Sequence, residues 1–260
     1  MKIRDDVYTH RAQEFQEMHD LVRESYAMLK KPFNWLFSRL ENWRYANNEV
    51  IFEPDTHFAT LQDFFLGSVH LWRDLDHGNQ LIGFCIAERA GNSIFIQVLP
   101  QYRMIEADML KWIEFEWVQG LDTVQTYAYA DDESRQELLR QAGFHDSGEA
   151  GYMYAYDVTK AYTDKPLDSG FSIQTLTQYA CIDARAEVEL ETFGQASLTS
   201  QWLEGKMRAP GYLQEWDFGA ISPEGKLTAF CLAWPDQQNA MAELDPIGTL
   251  VTQLENTGHP

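Results

Sequence analysis

The spacing of apolar residues changes along the chain, and each change predicts an element. Phe15, Met18, Val22 and Leu29 recur at helical spacing, which predicts a helix over residues 11–29. A second, aromatic helix is predicted after Pro32, carrying Trp35, Leu36, Leu40 and Trp43. Residues 68–73 and 81–88 then read as antiparallel strands around the turn Asp76-His77-Gly78-Asn79, and residues 93–99 as a third strand ended by Pro100. Met109, Trp112, Ile113 and Trp117 mark one face of a helix. A strand is predicted over 124–130, a short helix capped by Asp132 and closed by Gly143, and a last strand over 152–158.

Residues 161–170, with Lys165-Pro166 and Asp168-Ser169-Gly170, read as a linker between a module at 1–160 and another at 171–260. The second stretch restarts the pattern: strand 171–176, helices 182–193 and 200–207, the stop Pro210-Gly211, strand 213–221, and a strand through 242–247. One phrase occurs in both halves. Leu81-Ile82-Gly83-Phe84-Cys85-Ile86-Ala87 returns as Leu227-Thr228-Ala229-Phe230-Cys231-Leu232-Ala233, each copy after a glycine turn at Gly78 or Gly225. Such self-similarity predicts a duplicated module.

Composition narrows the class. Eight Trp, fifteen Phe and twelve Tyr can build a sizeable core. No stretch approaches the roughly 20 apolar residues of a membrane span, and the N-terminus lacks a signal-peptide core, so a cytoplasmic protein with no membrane partner is expected. Cys85, Cys181 and Cys231 make no disulfide framework; Cys85 and Cys231 are expected as buried thiols. A net charge of −20 argues against nucleic acid and favours cationic partners such as small amines or basic peptides. His57, His70 and His77 fit no metal-ligand spacing, and no metal is expected.

The order of elements resembles the GCN5-related N-acetyltransferase superfamily in tandem form. The residues that carry the resemblance in the first half are Val98-Leu99-Pro100-Gln101-Tyr102-Arg103 and the helix 131–144 ending in Gly143-Phe144. In the second half they are Ala209-Pro210-Gly211-Tyr212, Pro223-Glu224-Gly225, the strand 230–234 and Glu243-Leu244-Asp245-Pro246-Ile247-Gly248-Thr249. The resemblance implies an α/β fold, a mixed and mostly antiparallel sheet with helices on both faces. This is the acyl-CoA N-acyltransferase fold, in tandem, with the second copy incomplete at its C-terminus. It also implies acetyl-CoA as cofactor and a primary amine as acceptor. In the family a glycine-rich nest of backbone amides at a helix N-terminus holds the cofactor's pyrophosphate. Here Glu106 and Asp108 stand where the glycines belong, and the general-acid Tyr position holds Leu139. In the second half Leu250-Val251-Thr252-Gln253-Leu254 follows the strand, or in a second register Asn256-Thr257-Gly258-His259-Pro260 ends it. In neither register does the glycine loop arrive.

The candidate cofactor contacts implied by the resemblance are Val98, Arg103, Gly248 and Thr249. Arg103 could hold a phosphate or pair with Glu106. Glu243 is the candidate general base, on the strand that often carries one in this superfamily; its plain alternative is a polar residue on an incomplete sheet. Asp245, before Pro246, is expected to make a bend. Two functions follow as expectations. One is a weak or inactive acetyl-CoA-dependent N-acetyltransferase. The other is a non-catalytic ligand- or partner-binding module, self-associating through a free sheet edge.

Overall fold

A computed structural model describes residues 1–46, 66–87, 92–118, 121–163 and 165–250. Strand β1 (Ile3–Val7) leads into helix α1 (Ala12–Leu29), α2 (Phe37–Tyr45), β2 (Val69–Asp74), β3 (Gln80–Ala87) and β4 (Ile94–Val98). A 3₁₀ turn (Pro100–Ile105) opens α3 (Glu106–Trp112), which loosens into a π turn (Ile113–Trp117), and α4 is Glu133–Gln141. The second half runs β5 (Ser172–Thr175), α5 (Leu176–Tyr179), α6 (Ile182–Phe193), α7 (Ser200–Lys206), β6 (Asp217–Ile221), β7 (Leu227–Asp236) and β8 (Met241–Thr249).

The strands form two four-stranded antiparallel sheets, β1-β2-β3-β4 and β5-β6-β7-β8. Their registers correspond residue by residue. Leu71 faces Phe84 as Gly219 faces Phe230, and His70 faces Cys85 as Phe218 faces Cys231. Each second strand slips register near its end, at Trp72/Arg73 and at Ala220/Ile221. Gly83 faces Val98 where Ala229 faces Thr249. The repeated phrase thus lies at the same place in two like sheets. The sheets differ in the last pair: β7 and β8 slip between Cys231 and Ala233, leaving Asp245 and Pro246 opposite Leu232, whereas β3 and β4 pair without interruption. This β-bulge bends the strand and redirects its side chains.

Helix α1 starts where the Glu14 carboxylate accepts from the backbone N–H of Thr9 (2.9 Å) and of Arg11 (3.2 Å), satisfying donors that a helix start leaves open. It ends at Lys30 in the left-handed region, φ 56°. Its stripe Phe15, Met18, Leu21 and Val22 is buried. The main core is continuous between the halves. Trp35, Trp43, Phe84 and Ile96 from the first half belong to the same cluster as Leu176, Ala209, Tyr212, Leu232 and Trp234 from the second. Polar contacts line the seam as well: the Gly211 N–H donates to Glu41 (2.7 Å) and Asn239 Nδ2 to the Arg23 carbonyl (3.1 Å).

Several expectations change. The predicted strand over 124–130 reduces to one parallel bridge, Ser93 to Gln125. The predicted strand over 152–158 makes no ladder, and Tyr152, Tyr154 and Tyr156 are exposed; alternating aromatic residues do not make a strand without a partner edge. Strand β1 escapes the pattern because only Ile3 and Val7 are apolar in it and Val7 faces solvent. Trp35 precedes α2, and Leu36 is its N-cap residue. The stretch 213–221 begins as a 3₁₀ turn at Gln214–Trp216 before β6. His57 and residues 251–260, including the second register of the ending, lie outside the described residues. No helix among the described residues is long and apolar enough to cross a membrane.

Candidate functional site

In the first half the Pro-x-Tyr-Arg run closes β4 and turns into α3. Tyr102 is a structural pin: its hydroxyl donates to the buried Asp74 carboxylate (2.9 Å), which also meets His77 Nδ1 (2.8 Å) at the β2–β3 turn. Arg103 is committed to carboxylates. Its Nε donates to Glu106 (2.6 Å) and its Nη2 to both oxygens of Asp132 (2.8 and 2.9 Å). These hydrogen bonds and charges hold its pKa above the ordinary value, although partial burial works against them. The buried Arg135 donates to the other Glu106 oxygen (2.8 Å), and both guanidinium groups lie over the Phe33 ring, Arg135 at 4.1 Å and Arg103 at 5.3 Å.

A groove of about 240 Å³ opens at this point, lined by Arg103, Met104, Glu106, Ala107, Ser134 and Leu138. Glu106 begins α3, where a carboxylate suits the helix dipole and repels a phosphate. The outer edge of β4 is also occupied by the chain itself. Asn34 Nδ2 (2.6 Å) and Arg135 Nη1 (3.3 Å) donate to the Ile96 carbonyl, and Ser25 Oγ donates to the carbonyl of Val98 (3.3 Å). Asn34 therefore occupies part of that strand edge. Val98 and Arg103 thus both have partners within the chain.

The second half presents Glu243 at the seam. It stands opposite Trp234 on β8, half-buried, and the fully buried Ser38 hydroxyl of α2 donates to its carboxylate. Burial raises its pKa from 4.5 to about 7; the Ser38 bond and Arg39 oppose that rise, and Asp245 adds to it. Burial, followed by the charges of Asp131 and Glu243, also raises the phenol of the neighbouring Tyr129. Lys31 lies 5.2 Å above the Tyr129 ring and pairs with Asp131 (2.5 Å). Trp234 Nε1 donates to the Asp245 carbonyl (2.6 Å), fastening the bulge next to Glu243. A half-buried carboxyl poised near neutrality can accept a proton from an incoming amine.

Gly248 and Thr249 end β8. A Cβ at Gly248 would lie 2.7 Å from Phe230 Cζ and from Thr192 Cγ2, so close packing alone requires glycine there. Beneath this sheet lies a buried ionic cluster. Arg185 donates to Asp217 (2.9 Å) and Glu189 (2.6 Å), Tyr212 to Asp217 (2.7 Å), and Lys206 sits 3.5 Å from Glu189. The opposite charges in it balance, as buried ions require. Burial lowers the Lys206 pKa despite Glu189. Among the described residues no group of three or more His, Cys, Asp or Glu side chains is arranged to hold a metal.

Sequence reading placed Glu243 on its strand and missed Ser38 and Arg39, which act on its carboxyl, and Tyr129, whose phenol it helps to raise. No local pattern could have found them: Ser38 is 205 residues from Glu243 in the chain.

No family model and no curated protein matches this sequence. Among solved structures, the chain is similar to a GCN5-related N-acetyltransferase from Sphaerobacter thermophilus. The TM-score is 0.54 and the identity 14%, over 95% of this chain and 76% of that one. An N-myristoyltransferase from Saccharomyces cerevisiae with bound myristoyl-CoA gives TM-score 0.42 at 14% identity, over 95% of this chain and 62% of that one. A putative acetyltransferase from Pyrococcus horikoshii gives 0.40 at 14%, over 88% and 71%. The first likeness shows a GCN5-related acetyltransferase fold; the other two are too distant to add to it. The chain spans less than two thirds of the yeast enzyme.

Proposed function

We propose that this chain is built for N-acyl transfer to a primary amine, with Glu243 as general base, and that its first half has given up the cofactor for a structural role. On this reading the two sheets are tandem copies of one module. The observation that carries the proposal is the Glu243 carboxyl, half-buried at the seam, held by Ser38 and titrating near 7. A thioester donor such as acetyl-CoA would supply the activated acyl group, and β8 near Gly248 and Thr249 is the backbone assigned to its arm. The protein's own part is to receive the amine beside Glu243 and take its proton there. The net charge of −20 draws cationic acceptors such as polyamines, aminoglycosides or basic peptides towards it.

Because the Glu106 and Asp132 carboxylates already satisfy Arg103, residues 1–260 bind acetyl-CoA weakly on this proposal. Calorimetric titration should give a dissociation constant above about 100 μM, a binding free energy weaker than about −5.5 kcal/mol. Radiolabelled acetyl transfer to the amine panel should be slow and should vanish in Glu243→Gln. Sub-micromolar acetyl-CoA binding with fast turnover would overturn the closed first half, and transfer that survives Glu243→Gln would remove the base.

A further inference from the structure

We infer that the acceptor is a linear polyamine, whose distal ammonium binds over the Tyr129 ring against the Asp131 carboxylate while its reacting amine meets Glu243. This inference rests on the reading of Glu243 as base and names the substrate class of that same site.

Helix α2 links Glu243 to a row of aromatic rings. Ser38 donates to the Glu243 carboxylate, and the next residue, Arg39, lies over the Phe95 ring at 4.7 Å and the Trp35 ring at 5.5 Å. Phe95 on β4 stacks on Tyr127, with centroids 5.0 Å apart and planes 2° from parallel. Tyr127 is 48% exposed, so the row reaches solvent. Two residues on, the backbone of Tyr129 is pinned: its carbonyl accepts the Asp132 N–H (3.0 Å) and Gln136 Nε2 (2.8 Å). The Glu243 charge is felt at the Tyr129 phenol. Asp131 ends the row, and the hydrogen bond from Lys31 holds its carboxyl below the ordinary range.

The chain already places a primary ammonium at this end. Lys31 Nζ lies 5.2 Å over the Tyr129 ring and 2.5 Å from Asp131 Oδ2. An alkylammonium between a π face and a carboxylate is the recognition that the distal amino group of a polyamine needs. The Lys31 side chain is 40% exposed and that of Asp131 71%. An ion pair so exposed contributes little, so an ammonium carried on a substrate held at Glu243 can replace it. Arg39 over Phe95 repeats the preference for cations on this row, in a chain with forty acidic and only twenty basic side chains. A monoamine would leave the far end to Lys31, whereas a polyamine uses both ends.

Calorimetry with spermidine and butylamine, without acyl donor and at about 0.15 M salt to screen long-range attraction, tests this. Spermidine should bind the unaltered chain about tenfold more tightly than butylamine. Lys31→Met removes the internal occupant and should tighten spermidine about fivefold, leaving butylamine unchanged. Lys111→Met is the control for bulk charge, because it removes the same charge from another exposed pair, Lys111 with Asp108 (3.1 Å); it should leave both probes unchanged. Adding Asp131→Asn or Tyr129→Leu to Lys31→Met should abolish the gain. Equal binding of the two probes, or equal effects of Lys31→Met and Lys111→Met, overturns the subsite. The comparison of the two lysine variants decides the question even where Tyr129→Leu fails to fold. Binding is read without transfer, so loss of the spermidine preference leaves the role of Glu243 standing, and transfer that survives Glu243→Gln leaves the subsite standing.

Discussion

At the scale of the residue, the Glu243 carboxyl has a thermodynamic consequence independent of catalysis. It titrates near 4.5 in an unfolded chain and near 7 in the folded one, chiefly because burial disfavours its charge. The folded state therefore holds this proton more tightly. The associated stability is fully present below about pH 4.5 and is lost as pH rises through about 7. The span is worth up to about 3 kcal/mol, less whatever solvent screening the half-exposed carboxyl retains. Glu243→Gln keeps an acceptor for the Ser38 hydroxyl and removes the charge. Urea midpoints at pH 5 and pH 8 should show the variant about equal to the parent at the lower pH and more stable at the higher. Parallel pH curves for the two proteins would mean that the carboxyl is not desolvated.

At the scale of the element, α3 and α4 are joined by ions. Glu106 bridges Arg103 and Arg135, and Asp132 both accepts the Arg135 backbone N–H at 3.1 Å as a helix cap and binds Arg103. Glu106→Ala leaves the buried Arg135 guanidinium uncompensated, which should cost about 3–5 kcal/mol. Replacing the pair together, Glu106→Leu with Arg135→Met, should cost clearly less, because no lone charge remains; chemical denaturation of both variants measures the difference. The sequence showed Asp132 as a cap and named Glu106 as the alternative partner of Arg103, and it missed Asp132 as the second partner, because an ion pair spanning 29 residues leaves no periodic signal. The repeated phrase was legible because β3 and β7 are interior strands flanked by glycine turns. Strand β1 was not, since it holds its place by backbone pairing with β2 and not by an apolar face. The stretch 152–158 erred in the other direction: its alternation reads as a strand, but the structure gives it no partner.

At the scale of the whole molecule, the two like sheets could unfold separately or together, and the seam decides between these. A duplicated chain whose halves had private cores would show two transitions. Here Leu232, Trp234 and Tyr212 belong to the cluster that contains Trp35 and Phe84, whereas the cluster private to the second half comprises Val188, Leu227 and Phe230. Helix α2 adds polar ties, through Ser38 to Glu243 and Glu41 to the Gly211 amide, and α1 adds another through Arg23 to Asn239. Unfolding one half would expose apolar surface of the other and strand the buried Glu41 with one partner fewer. The expected outcome is a single cooperative transition, with far-UV circular dichroism and tryptophan fluorescence coincident in urea. Gly211→Ala provides the perturbation, since its Cβ would lie 2.8 Å from Glu41 Oε2 and 2.9 Å from Oε1. Overpacking of that kind costs about 1–3 kcal/mol. If the seam couples the halves, the variant lowers one shared midpoint for both probes. A biphasic curve, in the parent or in Gly211→Ala, would show that the second sheet is stable without the first and that the shared core contributes little to holding them together.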